Sequence, residues 1–170
     1  GWVSSTLHGL AEGSEIEVSA PTGNFYLIDS KKRNVFISGG VGLTPMIAML
    51  NQLVTEDMPQ PVSFIHACRS SQVHAMKKHI HELKAKYPRL STFTAYEFPH
   101  QGDVLGEDYD AAGRLDLVSM DAGLLPANAD YYLCGPMPFM AEQHKALVAR
   151  GIPAENIHSE AFGTGGVKLS

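Results

Sequence analysis

The sequence predicts an α/β domain in which a parallel sheet is covered by helices on both faces. Three observations carry that prediction. From Lys31 onward short β-branched runs alternate with helix-like stretches, the pattern of successive βαβ units. The first of these strands, residues 35–37, empties into a glycine-rich turn that opens a helix. Some ninety residues later the run Tyr131-Tyr132-Leu133 empties into a second turn, Cys134-Gly135-Pro136, again followed by a helix.

The first thirty residues have a different pattern. Residues 15–20 alternate polar and apolar like a half-buried antiparallel strand, and Pro21-Thr22-Gly23-Asn24 reads as a turn before Phe25-Tyr26-Leu27. The all-polar run Asp29-Ser30-Lys31-Lys32-Arg33-Asn34 marks the boundary. Residues 1–30 are therefore expected to be the end of another domain, and residues 31–170 the α/β domain.

Past that boundary the elements follow in order. Residues 44–54 form a helix with Thr44 as N-cap and Pro45 at the first helical position. Residues 62–67 are the next strand. Residues 74–87 form an amphipathic helix ended by Pro88, with Met76, Ile80, Leu83 and Tyr87 on one face and a solvated lysine run elsewhere. Residues 91–96 are a third strand, 99–113 an excursion, 130–133 a fourth strand. A helix over 138–150 is closed by Gly151, and 157–162 are the last strand.

Composition narrows the function classes. The 170 residues are 44% hydrophobic and 18% charged, enough apolar material for a real core. A net charge of -5 leaves no electrostatic footprint for nucleic acid or anionic lipid. The longest apolar runs fall well short of the ~20 residues of a membrane span, and no charged-then-apolar leader opens the chain. Cys68 and Cys134 build neither a disulfide framework nor a Cys-x-x-Cys pair. A reducing, cytoplasmic setting is expected.

The turn Gly39-Gly40-Val41-Gly42-Leu43-Thr44-Pro45 has one obvious chemical use. Glycines let the backbone approach a ligand, and the unpaired N–H groups and positive dipole end of the following helix favour a pyrophosphate. The dinucleotide pattern Gly-x-Gly-x-x-Gly is met only in part, because Gly40-Val41-Gly42 has no third glycine. A tight βα turn that needs glycine for its own dihedrals is the competing use. Cys134, taken alone, reads as a small buried hydrophobe. Two such turns at strand ends could line one crevice and hold the two ends of a dinucleotide. His74, His79 and His81 are a weak basis for a metal site, and none is expected. No Gly-x-Ser-x-Gly or His-Glu-x-x-His motif gives a hydrolase a starting point.

Together the two turns resemble the nicotinamide-binding module of the ferredoxin-NADP reductase superfamily, a Rossmann-like fold. Val73-His74-Ala75-Met76, Asp130-Tyr131-Tyr132, Pro138-Phe139-Met140 and Ile157-His158-Ser159-Glu160-Ala161-Phe162-Gly163 narrow the resemblance to the flavohaemoglobins, the bacterial nitric oxide dioxygenases. It spans essentially the whole chain. The first thirty residues are similar to the closing helix and last strands of that family's FAD-binding barrel.

The resemblance implies that Gly40, Val41, Gly42, Leu43, Thr44 and Pro45 bind the pyrophosphate and ribose side of NAD(P)H. Cys134, Gly135 and Pro136 would border the nicotinamide. Glu160, Ala161, Phe162, Gly163 and Thr164 would meet the flavin, with Val3 and Ser4 contributing from the barrel segment. Cys134 and Glu160 are the implied catalytic pair. Arg69 sits where the superfamily selects between cofactors; NADH is expected to be favoured and NADPH tolerated. Phe162 as plain core competes with Phe162 on a flavin face.

The implied reaction passes hydride from NAD(P)H to FAD and electrons onward to the haem of a globin domain, turning nitric oxide and dioxygen into nitrate. Its partners are FAD and the barrel and globin domains of the same protein, which lie outside this chain. Ser159 and Thr164 stand where the family usually has Tyr and Pro. The Arg-x-Tyr-Ser motif that grips FAD is not in the sequence. Alternative readings are the reductase component of an oxygenase, a flavin reductase, or a catalytically silent nucleotide-binding module. A Gly42→Val substitution is expected to abolish NADH binding and leave the fold largely intact.

Overall fold

The computed structural model describes residues 1–29, 31–57 and 59–161. Among them six strands form one wholly parallel sheet: β1 (Arg33–Gly39), β2 (Val62–Cys68), β3 (Leu90–Tyr96), β4 (Ala111–Ala112), β5 (Ala129–Gly135) and β6 (Ile157–Ala161). Their order is β4-β3-β2-β1-β5-β6. The chain steps outward from β1 to β4, then returns to the other side of β1 for β5 and β6. That reversal leaves a crevice between the carboxyl ends of β1 and β5, where open α/β sheets take their ligands.

Period-two alternation sorts the side chains between two cores. Val35, Ile37, Tyr131 and Leu133 face α4 (Met137–Ala149) and the segment carrying Leu115, Leu117 and Leu125. Phe36, Phe64, Tyr132 and Cys134 face α2 (Leu43–Thr55) and α3 (Lys77–Lys86). The burial of both faces is what makes β1 and β5 continuous apolar strands.

Several boundaries differ from the sequence expectation, each for a local reason. α2 is capped by Gly42 rather than by Thr44, because the 3-10 turn Gly40–Gly42 runs straight into it. Thr44 instead donates from Oγ1 to the Val41 carbonyl at 3.2 Å. α3 starts three residues later than expected, since Met76 has φ +57° and a left-handed residue cannot continue a right-handed helix. Met76 is accordingly exposed, while Ile80, Leu83 and Tyr87 are buried. The excursion ends in the two-residue edge strand β4. Gly151 closes α4 with φ +79°, as expected.

The expected antiparallel barrel remnant is the main correction. Residues 15–20 form no strand; among the described residues the first thirty hold only the helix α1 (Trp2–His8). Ile16 and Val18 are exposed, and an alternating segment with no neighbouring strand has nothing to receive its backbone hydrogen bonds. The stretch that does dock is later. Phe25 meets Tyr132 edge-on at 6.1 Å and the Ile28 amide donates to the Tyr132 hydroxyl at 3.0 Å.

Candidate functional site

A cleft of about 710 Å³ opens over the carboxyl ends of β1, β2, β3 and β5. Its floor is backbone. Gly39 and Gly40 end β1, Ala67, Cys68 and Arg69 end β2, Glu97 follows β3, and Pro136 follows β5. Leu43 and Thr44 bring the first turn of α2 to the cleft, and Pro138 and Phe139 bring that of α4. Neither helix has a side-chain cap or an acidic residue in its first turn. Two positive helix ends without side-chain caps therefore border one concavity, the arrangement that favours an anion, although at α2 the carbonyls of Gly40 and Val41 already receive the Leu43 amide.

The glycines of the turn have separate jobs. Gly40 has φ +53°, and a Cβ there would meet nothing within 4 Å, so the space above it belongs to the cleft. Gly42 has an ordinary φ of -59°, but a Cβ would lie 2.2 Å from the Cys134 carbonyl oxygen. It lets the β1 turn pack onto the β5 turn. The expectation that Gly42→Val would spare the fold is therefore corrected: its first added atom collides with backbone. At Gly135 a Cβ would come within 2.7 Å of the Phe139 ring.

Of the residues expected at the site, Gly40, Val41, Leu43, Thr44, Arg69 and Pro136 line the cleft. Gly42, Pro45, Cys134 and Gly135 lie behind that lining, in the packed junction of the two turns or the first turn of α2. The Cys134 side chain is fully buried on the α2 and α3 face, and burial, reinforced by Glu160, pushes its thiol up to about 11. It is a neutral thiol inside the core. Glu160 and Ala161 end β6 in register with Cys134 and Gly135, with Glu160 exposed. Val3 and Ser4 lie on α1, which buries no residue. Phe162, Gly163 and Thr164 lie outside the described residues.

Sequence reading missed the outer wall. Arg114 reaches Glu97 at 3.5 Å and Glu142 at 3.8 Å, so one exposed guanidinium spans the end of β3 and the flank of α4. The segment behind Arg114 is fastened to α4 by two side chains. Gln143 Nε2 donates to the Leu115 carbonyl at 3.2 Å, and Arg150 Nη1 donates to those of Leu117, Val118 and Met120. Of the three helix-region histidines, His79 stands apart on Asn51, whereas His74, bonded to Tyr96, and His81 line one smaller cavity, with His66, separate from the cleft. No helix among the described residues is long and apolar enough to cross a membrane.

Residues 36–145 match the family described as the oxidoreductase NAD-binding domain. A flavohaemoprotein of Bordetella pertussis is 47% identical over 169 residues, covering 98% of this chain and 42% of the relative. One from Rhizobium meliloti is 44% identical over 165 residues, 96% of this chain and 41% of the relative. The chain thus spans under half the length of the curated relatives it matches. Among solved structures, the flavohem-like FAD/NAD binding domain of nitric oxide dioxygenase from Vibrio cholerae aligns with a TM-score of 0.77 at 31% identity, over 95% of this chain and 64% of that one. The flavohaemoglobin of Malassezia yamatoensis, with bound FAD and haem, aligns with a TM-score of 0.72 at 26% identity, over 94% of this chain and 40% of that one. With a parallel sheet, a glycine turn at its switch point and a family match over the same residues, this chain belongs to the oxidoreductase NAD-binding domain family.

Proposed function

We propose that the cleft binds NADH, tolerating NADPH, and that the chain is the reductase portion of a flavohaemoglobin nitric oxide dioxygenase. One observation carries the dinucleotide reading: Gly40, left-handed and open where a Cβ would stand, lies at the mouth of an uncapped helix. That is a backbone cradle for a pyrophosphate. The dinucleotide, when bound, supplies the hydride. The chain's own residues bind and orient it: amides of the turn and the first turn of α2 receive the phosphates, and Phe139 gives the inner wall an aromatic surface.

The charge of the cleft supports the preference for NADH. Arg69 and Arg114 are balanced by Glu97 and Glu142 among the lining residues, so an added 2′-phosphate gains no net attraction. The likeness to flavohaemoproteins supports the wider reading, in which FAD, and haem in a globin domain, complete the path to nitrate. Residues 1–30 belong in that reading to the FAD-binding part and 31–170 to the NAD(P)H-binding part, within a reducing cytoplasm that suits two free thiols. The flavin contacts implied in that reading are Glu160 and Ala161 at the end of β6, Val3 and Ser4 on α1, and Phe162, Gly163 and Thr164; without the Arg-x-Tyr-Ser motif they are a partial set.

Isothermal titration of the chain with NADH and NADPH tests the first part. NADH is expected to bind, with NADPH weaker by no more than about tenfold, or ~1.4 kcal/mol. Absence of heat with both would sink the dinucleotide reading. NADH oxidation assayed with and without added FAD tests the second part: rapid turnover without flavin would overturn the view that the flavin contacts here are partial.

A further inference from the structure

On the sheet face covered by α2 and α3, next to the cleft, lies a buried line of polar side chains that are not among the cleft's lining residues. The Ser38 hydroxyl and His66 Nδ1 are 2.8 Å apart, and the same hydroxyl donates to the Ile65 carbonyl at 3.4 Å. The His66 ring lies 5.0 Å from that of His74. His74 Nδ1 is 2.8 Å from the Tyr96 hydroxyl, and Tyr96 stacks on Tyr109 with centroids 5.1 Å apart. Ser38, His66 and Tyr96 are each essentially buried, from β1, β2 and β3 respectively.

Each member is next in sequence to a residue of the cleft. Ser38 precedes Gly39, His66 precedes Ala67, Tyr96 precedes Glu97, and His74 stands between Val73 and Ala75. A side chain fixed on one strand residue also fixes the backbone of the next, so anchoring Ser38, His66 and Tyr96 sets where the neighbouring strand ends meet the cleft. His74 is the member that reaches furthest. It belongs to the connection between β2 and α3, whose Val73, Ala75 and Met76 form one wall of the cleft, and that stretch has no strand ladder of its own to hold it.

We propose that His74, through its hydrogen bond to Tyr96 and its packing on His66, is a positioning residue for dinucleotide binding that ties the wall at residues 73–76 to the three strands ending at the cleft floor. The inference rests on the dinucleotide reading of the cleft. Proton accounting is consistent with it. A hydroxyl has one hydrogen, so with that hydrogen on Ile65 the Ser38 oxygen receives N–H from His66, which needs only the neutral imidazole. Burial holds both rings neutral, lowering His66 to about 3 and His74 to about 4. The network therefore keeps one protonation state across the neutral range.

The test is isothermal titration with NADH at pH 7 on the wild-type chain, His74→Leu, His74→Asn, Tyr96→Phe and the double variant His74→Leu with Tyr96→Phe. Tyr96→Phe keeps the ring stack and removes only the hydroxyl, so it decides the matter even where His74→Leu does not fold. His74→Leu and Tyr96→Phe are each expected to weaken NADH binding by about three- to tenfold, the scale of one hydrogen bond. The double variant is expected to lose no more than the worse single one, because both remove the same bond. His74→Asn, which keeps a polar atom near the Nδ1 position, is expected to stay within about threefold of wild type. Variants that melt earlier yet bind NADH as tightly as wild type, or losses that multiply in the double variant, would overturn the inference and leave the dinucleotide reading standing. A wild-type chain that binds no NADH would overturn both.

Discussion

The floor and the rim of the cleft rest on different physics. At the floor, Gly42 meets the Cys134 backbone and Gly135 meets Phe139 so closely that an added Cβ would lie 2.2 and 2.7 Å from its nearest neighbours. At the rim, Arg114 is 75% exposed and its pairs with Glu97 and Glu142 measure 3.5 and 3.8 Å. Excluded volume does not relax with salt. An exposed ion pair does, and is worth only ~0–1 kcal/mol. The contrast teaches that this site separates shape from charge: the shape proposed to admit a pyrophosphate is locked into the core, whereas the charges around it stand in water.

The largest effect belongs to the floor. Gly42→Ala adds one carbon against backbone that cannot swing away as a side chain could, and the two turns must part to admit it. A loss of about 3 kcal/mol is expected, lowering the melting temperature by roughly 6–12 °C. Circular dichroism melts measure it. A variant melting within a degree or so of wild type would show that the junction of the turns can open to admit a methyl group at little cost.

Beneath the floor, acid is the next lever. His66 is buried among His74, Ser38 and Phe64, with Lys77, His81 and Asp108 facing the same small cavity. Burial first, and His74 second, lower its pKa to about 3. The unfolded chain then binds a proton on His66 below about pH 6.5 that the folded chain refuses, so stability is complete above that pH and falls as pH drops toward 3. The slope from His66 alone is about 1.4 kcal/mol per pH unit. Urea midpoints between pH 6.5 and 4.5, above the range where most carboxylates titrate, should fall in wild type and fall less in His66→Gln. Equal slopes would remove His66 from the account.

Gly40→Ala sharpens the comparison from the other side. The left-handed backbone costs a non-glycine residue about 1–2 kcal/mol, but no atom stands in the way. The fold is expected to survive with a small drop in melting temperature. NADH affinity is expected to fall by more than about tenfold, because the methyl group occupies the space proposed for the pyrophosphate. Titration that found affinity unchanged would move the phosphate site away from this turn.

What was legible in the sequence follows the same division. Strand runs such as residues 35–37 and 131–133 announced themselves because burial on both faces demands apolar residues without interruption. The glycine turn was visible because its backbone requirement is written in residue type. The role of Gly42 was not, since the atoms it accommodates come from β5, ninety residues away. Residues 15–20 carry a true alternating pattern, yet a pattern specifies a strand only where another strand is present to pair with it. Spacing alone places Met76 on a helix face, and its own left-handed backbone overrides the period. Arg114, Glu97 and Glu142 are ordinary surface charges in sequence; only the path of the segment after β4, from the end of β3 to the flank of α4, makes them neighbours.

The smallest effect, and the one that most directly tries the division between shape and charge, lies at Arg114. Its guanidinium already has two carboxylate partners, so part of what it could offer a phosphate is spent before the ligand arrives. Arg114→Ala is expected to weaken NADH binding only about two- to threefold in dilute buffer, in keeping with an exposed charge. Raising NaCl to about 0.5 M shortens the screening length to a few ångströms and should erase the difference from wild type. The loss in Gly40→Ala should persist at the same salt, because a methyl group is not screened. An Arg114→Ala deficit that survived high salt would mean that the guanidinium makes a desolvated, geometrically fixed contact with the dinucleotide. The rim would then belong with the floor, and recognition in this cleft would be one problem of fit rather than two.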